Sequence, residues 1–439
     1  MKLSSLLTRI LFIFLFLNLI AVSEIDAQKG NDCILVNTSH LDYLYQKIKV
    51  NNKEMGIVHI YAEYPDYKYV DAKGEGIACV DDAARADIFY MKYYSVNPKR
   101  GIMDKIKMLT NFLLYMQSGN GFFNNFIWKD YSKDTTYKTS VAKPDWWSWR
   151  AIWALAEAQK FFINIDKNYS DSIKPQLDKA INVTIKWLHE NKSDSLSNFG
   201  GYNLPTWLPH QTAADQASIL VKGFCEYYEL NKSEVVRNEI EKLCNAIVKM
   251  QAGNKNLLPY YAFLSWENTW HMWGNSQSYA LIQAGKLLGK ADYIKSALKE
   301  INNFYPYLMR ENYLNNFSVV KTKHRVLMKE KDQFSQIAYG IRPMVMACIS
   351  AFNTEHNSSY AKLAGKLGAW FFGKNPAGKN MYNPKTGICF DGIISKTEIN
   401  KNSGAESTIE ALLSLLEIEQ NPISKKVLAK YLKNNYNSK

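Results

Sequence analysis

Helices of two kinds alternate along the chain from Asp81 onward. Helices of the first kind are apolar on almost every side, and they are predicted over 146–163, 272–288, 334–352 and 405–416. Helices of the second kind carry one apolar stripe, as in 170–188, where Ile173, Leu177 and Ile181 repeat at helical spacing. A helix that is apolar all round is buried on most sides, whereas a helix with one stripe lies on an outer layer.

The two kinds of helix form six successive pairs. The buried members are predicted to begin near Asp81, Trp146, Thr212, Met272, Gln333 and Ala405. Their amphipathic partners are predicted to end near Met116, Leu188, Met250, Met309, Phe371 and Leu432. Successive ends lie 59 to 72 residues apart, and a repeated spacing of this kind indicates an array of one helical hairpin.

The array is predicted to close on itself. An open solenoid, which is the alternative, needs polar-faced terminal repeats, and neither end of this array has one. We therefore predict an all-α fold, an (α/α)₆ barrel (toroid) of six helical hairpins. A short irregular N-terminal segment with a possible strand at 57–61 is expected to precede it.

Two of the hairpins share a short sequence at the same position, MQSGN at 116–120 and MQAGN at 250–254. Each string follows an amphipathic helix, so Gly119 and Gly253 are predicted to form left-handed C-caps. The match supports the register of the repeat.

The N-terminus has the pattern of a secretory signal peptide. Lys2 and Arg9 precede an apolar run over 10–22, and Ala27 offers a small residue for cleavage. The run is short for a membrane span, although a retained anchor is the alternative. We expect a signal peptide at 1–27, the irregular segment at 28–75 and one catalytic domain at 76–439. The protein is expected to be exported, periplasmic or extracellular, with no integral membrane span after cleavage.

Composition adds three features to this picture. The chain has 11 Trp, 28 Tyr and 20 Phe, and aromatic rings stack on sugar faces as well as filling a core. The formal net charge of +13 suits an acidic polymer such as a uronic-acid glycan or nucleic acid. The lysines, however, are scattered and match no nucleic-acid motif, so no nucleic-acid partner is expected. Six cysteines without a C-x-x-C pair are expected to be mostly buried thiols.

The starts of the buried helices are predicted to meet at one mouth, because the inner helices of a closed double ring run parallel. The first start carries Asp81, Asp82 and Arg85. Either acid can cap the helix, and the set can hold a polar ligand. The second start carries Asp145, a natural N-cap, followed by WWSWR at 146–150.

Three tryptophans at that spacing cannot all face one core direction, so at least one is predicted to face the mouth. This makes Trp146, Trp147 and Arg150 candidate substrate-binding residues. The third start is preceded by His210, on a loop. The loop before the fourth start mixes an acid, an imidazole and indoles, among them Glu267, His271 and Trp273.

Two carboxylates across a mouth can hydrolyse a glycosidic bond, one as general acid and the other as base or nucleophile. Ring closure places the first and last inner helices side by side, so Asp82 and Glu406 are the predicted catalytic pair, with Asp145 as the substitute for either. The sequence contains no P-loop, G-x-G-x-x-G, H-E-x-x-H or G-x-S-x-G motif. We therefore expect no cofactor and no catalytic metal.

Three strings are similar to sequences of the six-hairpin glycosidase superfamily: VDDAARA at 80–86, QSGNGFF at 117–123 and NSGAEST at 402–408. The string CFDG at 389–392 resembles the same group and adds Asp391 to the substrate-binding candidates. The resemblance covers roughly 75–435. It implies the (α/α)₆ fold and an oligo- or polysaccharide substrate in the mouth.

The leading hypothesis is therefore a glycoside hydrolase. A polysaccharide lyase acting on uronic-acid glycans is the first alternative, with His271, His210 or a tyrosine abstracting the proton. A non-catalytic glycan-binding protein is the second alternative. The sequence gives no indication of oligomeric state.

Overall fold

The computed structural model describes residues 34–190, 194–323 and 325–436. The predicted signal peptide and Cys33 lie outside these ranges. The chain divides into two units, Met1–Leu35 and Val36–Lys439, and all the secondary structure described here belongs to the second unit.

In the part of the chain that the structure describes, a short helix, α1 (Ser39–Leu44), precedes twelve longer helices that form six hairpins. The inner and outer helix of each hairpin are, in order, α2 (Val80–Val96) and α3 (Arg100–Met116), α4 (Trp146–Phe162) and α5 (Lys167–Glu190), α6 (Ala214–Asn231) and α7 (Glu234–Lys249), α8 (Gln277–Leu288) and α9 (Ala291–Arg310), α10 (Ala338–Glu355) and α11 (Ser358–Gly368), α12 (Ala405–Gln420) and α13 (Pro422–Tyr436).

The inner helices form a closed ring. Each even-numbered helix from α2 to α12 packs against the next, and α12 packs against α2. Burial follows the sequence pattern, since α6 is buried without interruption from Ala214 to Tyr227. The predicted all-α fold of six hairpins is confirmed, and the open solenoid is excluded.

The outer helices bury one stripe each. In α5, Ile173, Leu177 and Ile181 are buried, while Lys179 and Lys186 are exposed. Burying such a side chain contributes about 1.5–3 kcal/mol relative to leaving it in water. These stripes therefore hold the outer layer onto the inner ring.

The N-terminal segment is more regular than its sequence pattern indicates. It holds the hairpins β1–β2 (Tyr45–Val50, Lys53–Val58) and β3–β4 (Tyr61–Glu63, Lys68–Val70). Asn51 and Asn52, both with positive φ, form the two-residue turn between β1 and β2. The last four residues of β2 are all buried, so its sequence lacks the alternation that marks a half-exposed strand.

Small antiparallel sheets occupy the loops at the mouth and elsewhere. They pair β5 (Ala78–Cys79) with β6 (Phe126–Ile127), β7 (Leu196–Phe199) with β8 (Tyr202–Pro205), and β12 (Gly392–Ile393) with β13 (Ile399–Asn400). A three-stranded sheet contains β9 (Thr269–His271), β10 (Asn316–Lys321) and β11 (Val326–Asp332), with β10 in the centre.

Two inner helices begin later than predicted. Helix α8 begins at Gln277 rather than near Met272, and α10 begins at Ala338 rather than near Gln333. The residues just before them belong to β9 and β11 or to the turns that follow those strands. Short apolar stretches of strand and helix share the same composition, so periodicity alone cannot separate them.

The repeated MQ(S/A)GN strings have a common role, although the predicted glycine C-caps are wrong. Gln117 and Gln251 each follow an outer helix and donate through Nε2 to a backbone carbonyl of the next outer helix, at 2.9 Å in both cases. Neither outer helix ends with a residue in the left-handed region. The C-cap residues are Gln117, with φ of -63°, and Met250, with φ of -80°. Gly253 does have a positive φ, but three residues beyond that C-cap.

The cysteines of the described ranges are all free and buried: Cys79, Cys225, Cys244, Cys348 and Cys389. This confirms the expected buried thiols for those five. A search of the described helices finds none with the length and apolarity needed to cross a membrane.

Candidate functional site

A cavity of about 260 Å³ lies at the N-terminal ends of three inner helices, α2, α10 and α12. Its walls are the first turns of α2, α10 and α12 together with loops that precede α2 and α12. Its polar lining residues are Tyr61, Glu75, Asp81, Asp82, Arg85, Asn125, Tyr339, Asp391, Glu406 and Ser407.

Arg85 joins the two predicted catalytic carboxylates. Its Nη1 lies 2.7 Å from Oδ1 of Asp82, and its Nη2 lies 2.9 Å from Oε2 of Glu406. Asp82 and Arg85 belong to α2 and Glu406 to α12, so ring closure brings them together. The predicted proximity is present, and the catalytic roles remain a prediction.

Asp82 is enclosed while Glu406 is open to solvent. The side chain of Asp82 is 4% exposed, against 42% for Glu406. Burial raises the pKa of Asp82 to about 6, against the lowering effect of Arg85 and with a smaller raising effect from Glu406. Asp82 therefore keeps its proton in mildly acidic solution, up to about pH 6.

Cys79, and not an aspartate, caps helix α2. Its Sγ accepts a hydrogen bond from the backbone N–H of Asp82 at 3.4 Å and donates to Oδ2 of Asp82 at 3.2 Å. The expectation that Asp81 or Asp82 caps the helix is wrong. Both carboxylates are consequently free to face the cavity and its arginines.

Asp81 belongs to a second ion pair beside the first. Arg150 from α4 contacts Asp81 and also donates to the hydroxyl of Tyr339 at 2.8 Å. Asn125 donates to Asp81 at 3.3 Å. The candidates Asp81 and Arg150 thus act as one unit that orients Tyr339.

Tyr339 is a site residue that the sequence does not reveal. The guanidinium groups of Arg85, Arg150 and Arg342 lie 4.9, 5.3 and 5.2 Å from its ring centroid. Its only sequence signal is a hydroxyl in the first turn of an apolar inner helix.

The tryptophans of the second start divide between mouth and core. Trp146 is partly exposed, stacks under the guanidinium of Arg150 at 5.0 Å and lies 5.6 Å from the ring of Trp273. Trp147 is buried and donates to the carbonyl of Phe123, so its expected place in the substrate site is wrong. Helical spacing turns successive residues by about 100°, which separates the two neighbouring indoles.

His271 forms a dyad with Asp215. Its Nε2 lies 2.9 Å from Oδ2 of Asp215, and its ring stacks on Trp273 at 3.9 Å. Its buried Nδ1 has no hydrogen-bond partner among the described residues. Trp273 also contacts Trp146, which links this dyad to the arginine-rich side of the mouth.

Three further predicted residues, Asp145, His210 and Glu267, lie outside the cavity lining as well. Asp145 caps α4 through the backbone N–H of Trp146 and pairs with Lys143 at 3.3 Å. His210 is exposed, and its ring centroid lies 5.7 Å from that of Trp187. Glu267 is tied through its backbone N–H to Thr212. Helix capping and loop packing account for the contacts that these three residues make.

Asp391 lines the cavity and also caps α12. Its Oδ1 accepts from the backbone N–H of Gly404 at 2.8 Å and from the hydroxyl of Ser407 at 2.6 Å. Burial raises its pKa. Asp391 therefore fixes the turn that presents Glu406.

The N-terminal segment supplies one cavity wall. Tyr61, on β3, donates through its hydroxyl to Oε2 of Glu75 at 2.6 Å, and both line the cavity. The sequence shows only a run of tyrosines here, with no motif that assigns them to a site.

Within the described ranges no group of three or more His, Cys, Asp or Glu side chains is arranged to hold a metal ion.

Solved structures similar to this chain have the same architecture. A cellobiose 2-epimerase from Spirochaeta thermophila matches with a TM-score of 0.58 and 11% identity, covering 94% of this chain and 98% of its own. A sugar epimerase from a ruminal bacterium matches with a TM-score of 0.56 and 13% identity over 91% and 98%. A family 76 glycoside hydrolase from a Bacteroides thetaiotaomicron strain matches with a TM-score of 0.51 and 11% identity over 88% and 75%.

The chain has the six-hairpin (α/α)₆ fold. At these identities the likeness concerns the fold alone. No protein-family model matches the sequence, and no curated protein is similar to it at a significant level.

Proposed function

We propose that this protein is a carbohydrate-active enzyme that hydrolyses a glycosidic bond in the cavity at the mouth. The observation that carries the proposal is the placement of Asp82 and Glu406 on one guanidinium, Arg85, in the wall of that cavity. Paired carboxylates of unequal environment are the usual apparatus of glycoside hydrolysis.

The unequal environments of the two carboxylates support a different role for each. Asp82 is buried with a raised pKa of about 6, so it acts as the general acid that protonates the leaving oxygen. Glu406 is partly exposed and acts as the base that activates water, or as the nucleophile. Arg85 holds both groups in position.

The rest of the mouth can bind further sugar units. Trp146 and Trp273 present partly exposed indoles whose centroids are 5.6 Å apart. Such rings stack on the apolar faces of sugars. A glycan would then extend from the cavity across these two indoles.

The test is a glycan panel with product analysis, run on the full chain and on Asp82→Asn and Glu406→Gln. We expect each variant to lose about 100-fold or more in turnover while still unfolding in one cooperative melting transition. Glu234→Gln is the matched control, because it removes an exposed carboxylate from the first turn of an outer helix. Wild-type turnover in both site variants would contradict the proposal, and saturable binding without turnover by the wild type would indicate a glycan-binding protein.

A second candidate is proton abstraction by His271, as in epimerisation or elimination. It is favoured by the contact of Nε2 with Asp215 and the unpartnered Nδ1. Two of the similar structures are named as sugar epimerases. His210, the other histidine considered for this role, is exposed, and its ring lies beside that of Trp187.

Reaction in deuterated water separates the two candidates. Epimerisation would place one deuterium on a carbon of the sugar, conserve all glycosidic bonds and disappear in His271→Gln. Elimination would cleave a bond and create an ultraviolet-absorbing product. Hydrolysis would release reducing ends without either sign and would disappear in Asp82→Asn.

A further inference from the structure

We propose that the cavity selects a sugar unit bearing a protonated amine over its neutral counterpart, and that it rejects sugars bearing a carboxylate. This substrate class rests on the proposed function, in which the cavity binds a glycan. It departs from the expectation that a basic chain of net charge +13 favours uronic-acid glycans.

The lining of the cavity is strongly acidic. Five of its side chains carry carboxyl groups, namely Glu75, Asp81, Asp82, Asp391 and Glu406, and four of them remain when Asp82 is protonated as the general acid. The only lysine or arginine among its lining residues is Arg85. The local charge therefore opposes the net charge of the chain.

The cations near the cavity are already committed to protein carboxylates. Arg85 contacts Asp82 and Glu406, and its Nε lies 3.4 Å from Oε1 of the buried Glu410. Arg150 contacts Asp81 and Tyr339. A bound uronate would have to displace one of these partners or remain beside other carboxylates, and burying an unpaired charge is costly.

Two carboxylates of the cavity, in contrast, have only neutral donors. Glu75 accepts from the hydroxyl of Tyr61, and Asp391 accepts from the backbone of Gly404 and the hydroxyl of Ser407. No lysine or arginine among the described residues forms an ion pair with either. An ammonium group is the ligand that supplies the missing positive charge with hydrogen-bond donors, and charge-assisted hydrogen bonds are the stronger kind.

The test compares methyl glycosides that share one ring and differ in charge. Neutral, amino and uronic forms of the gluco, galacto and manno rings are titrated against the full chain by ligand-observed NMR. We expect the amino form of the best-bound ring to bind about threefold or more tightly than the neutral form, and the uronic form about tenfold more weakly. The differences should shrink in high salt.

Glu75→Gln identifies the cavity as the source of the preference. It should reduce the ratio of amino to neutral affinity, whereas Glu63→Gln, an exposed carboxylate on β3, should leave that ratio unchanged. Equal melting temperatures of the variants show that the fold is kept.

The outcomes separate the failure of the amino-sugar inference from the failure of the proposed function. A uronic form that binds as tightly as the neutral one, an amino form that binds no more tightly than the neutral one, or a ratio that Glu75→Gln leaves unchanged would overturn the amino-sugar inference and leave the proposed function standing. If no member of the panel binds, both fail.

Discussion

Asp82 carries more of the proposed chemistry than any other residue, and its properties come from its position. It lies in the first turn of a helix capped by Cys79, so its carboxylate is free to meet Arg85 while remaining buried. Burial disfavours the charged form more than the arginine favours it, and the pKa rises to about 6.

The activity should fall as pH rises through about 6, because hydrolysis requires protonated Asp82. The profile of kcat/KM against pH on the best substrate of the panel checks this. A rate that is constant from pH 5 to pH 8 would contradict the role of Asp82 as general acid.

The unfolding free energy should also depend on pH through the Asp82 carboxyl, and the raised pKa fixes the direction of this dependence. The folded pKa of Asp82 lies above its ordinary value of 3.8, so ionisation of this group lowers the unfolding free energy as pH rises from about 4 to about 6. Asp82→Asn has no carboxyl to ionise at this position, so its unfolding free energy should not fall for this reason. Relative to wild type, the variant should gain about 2 kcal/mol between pH 4 and pH 7.5, measured by urea unfolding. If Asp82→Asn instead lost stability relative to wild type over that pH range, the raised pKa of Asp82 would be contradicted.

At the residue scale the sequence predicts part of the site. Asp82, Arg85 and Glu406 are predicted because they fall at helix starts that ring closure brings together. Tyr61, Glu75 and Tyr339 are missed because no motif marks them and their proximity depends on loop paths. Trp147 is wrongly included because composition does not state which indole faces the mouth.

The helical hairpin is held in register by side chains that recur at the same position. Gln117 links the first hairpin to the backbone of Gln176, and Gln251 links the third to the backbone of Ser296. The oxygen of Gln251 also accepts from the hydroxyl of Ser296. The shared sequence therefore reflects a contact between successive outer helices rather than a helix cap.

Gln251→Ala should lower the unfolding free energy by about 1–2 kcal/mol, because it removes the acceptor of the buried Ser296 hydroxyl and a second hydrogen bond to the Ser296 carbonyl. Gln117→Ala should have a similar effect. Gln420→Ala, at the exposed end of α12, is the control and should change stability by less than about 0.5 kcal/mol. Urea denaturation of the three variants measures the differences, and equal stability of all three would show that the shared strings are not structural links.

Element boundaries are predicted least well where strands meet helices. The starts of α8 and α10 are shifted because β9, β10 and β11 form a sheet from segments that are distant in sequence. Pairing between such segments is a tertiary effect, which local periodicity does not contain.

At the scale of the whole molecule, a buried ion network joins the inner helices where the ring closes. Glu410 on α12 is fully buried, accepts from Nε and Nη2 of Arg342 on α10 at 2.6 and 3.3 Å, and lies 3.4 Å from Nε of Arg85 on α2. One carboxylate thus connects the last hairpin to its two neighbours in the ring.

Glu410→Ala should destabilise the protein by about 3–5 kcal/mol, because two buried guanidinium groups lose a partner. Glu410→Gln keeps one acceptor oxygen for the two arginines and should lose less stability than Glu410→Ala. Calorimetric melting measures both, with Glu234→Gln as the surface control. A melting temperature of Glu410→Ala close to wild type would show that packing alone closes the ring.

The six-hairpin ring itself is predictable because its signal is repeated six times along the chain. The contribution of residues before α2 to the cavity cannot be predicted in this way, because the spacing of the helices does not indicate how the N-terminal segment folds over the mouth. The closed ring is the part of the account that the likeness to solved structures supports.

The crystal structure of Asp82→Asn with an intact glycan from the panel tests the central claim most directly, because this variant should bind the substrate without cleaving it. We expect a glycosidic oxygen beside residue 82, with Glu406 facing the adjacent anomeric carbon and further sugar units over Trp146 and Trp273. A glycan bound elsewhere on the ring, with residues 82 and 406 out of contact, would contradict the claim.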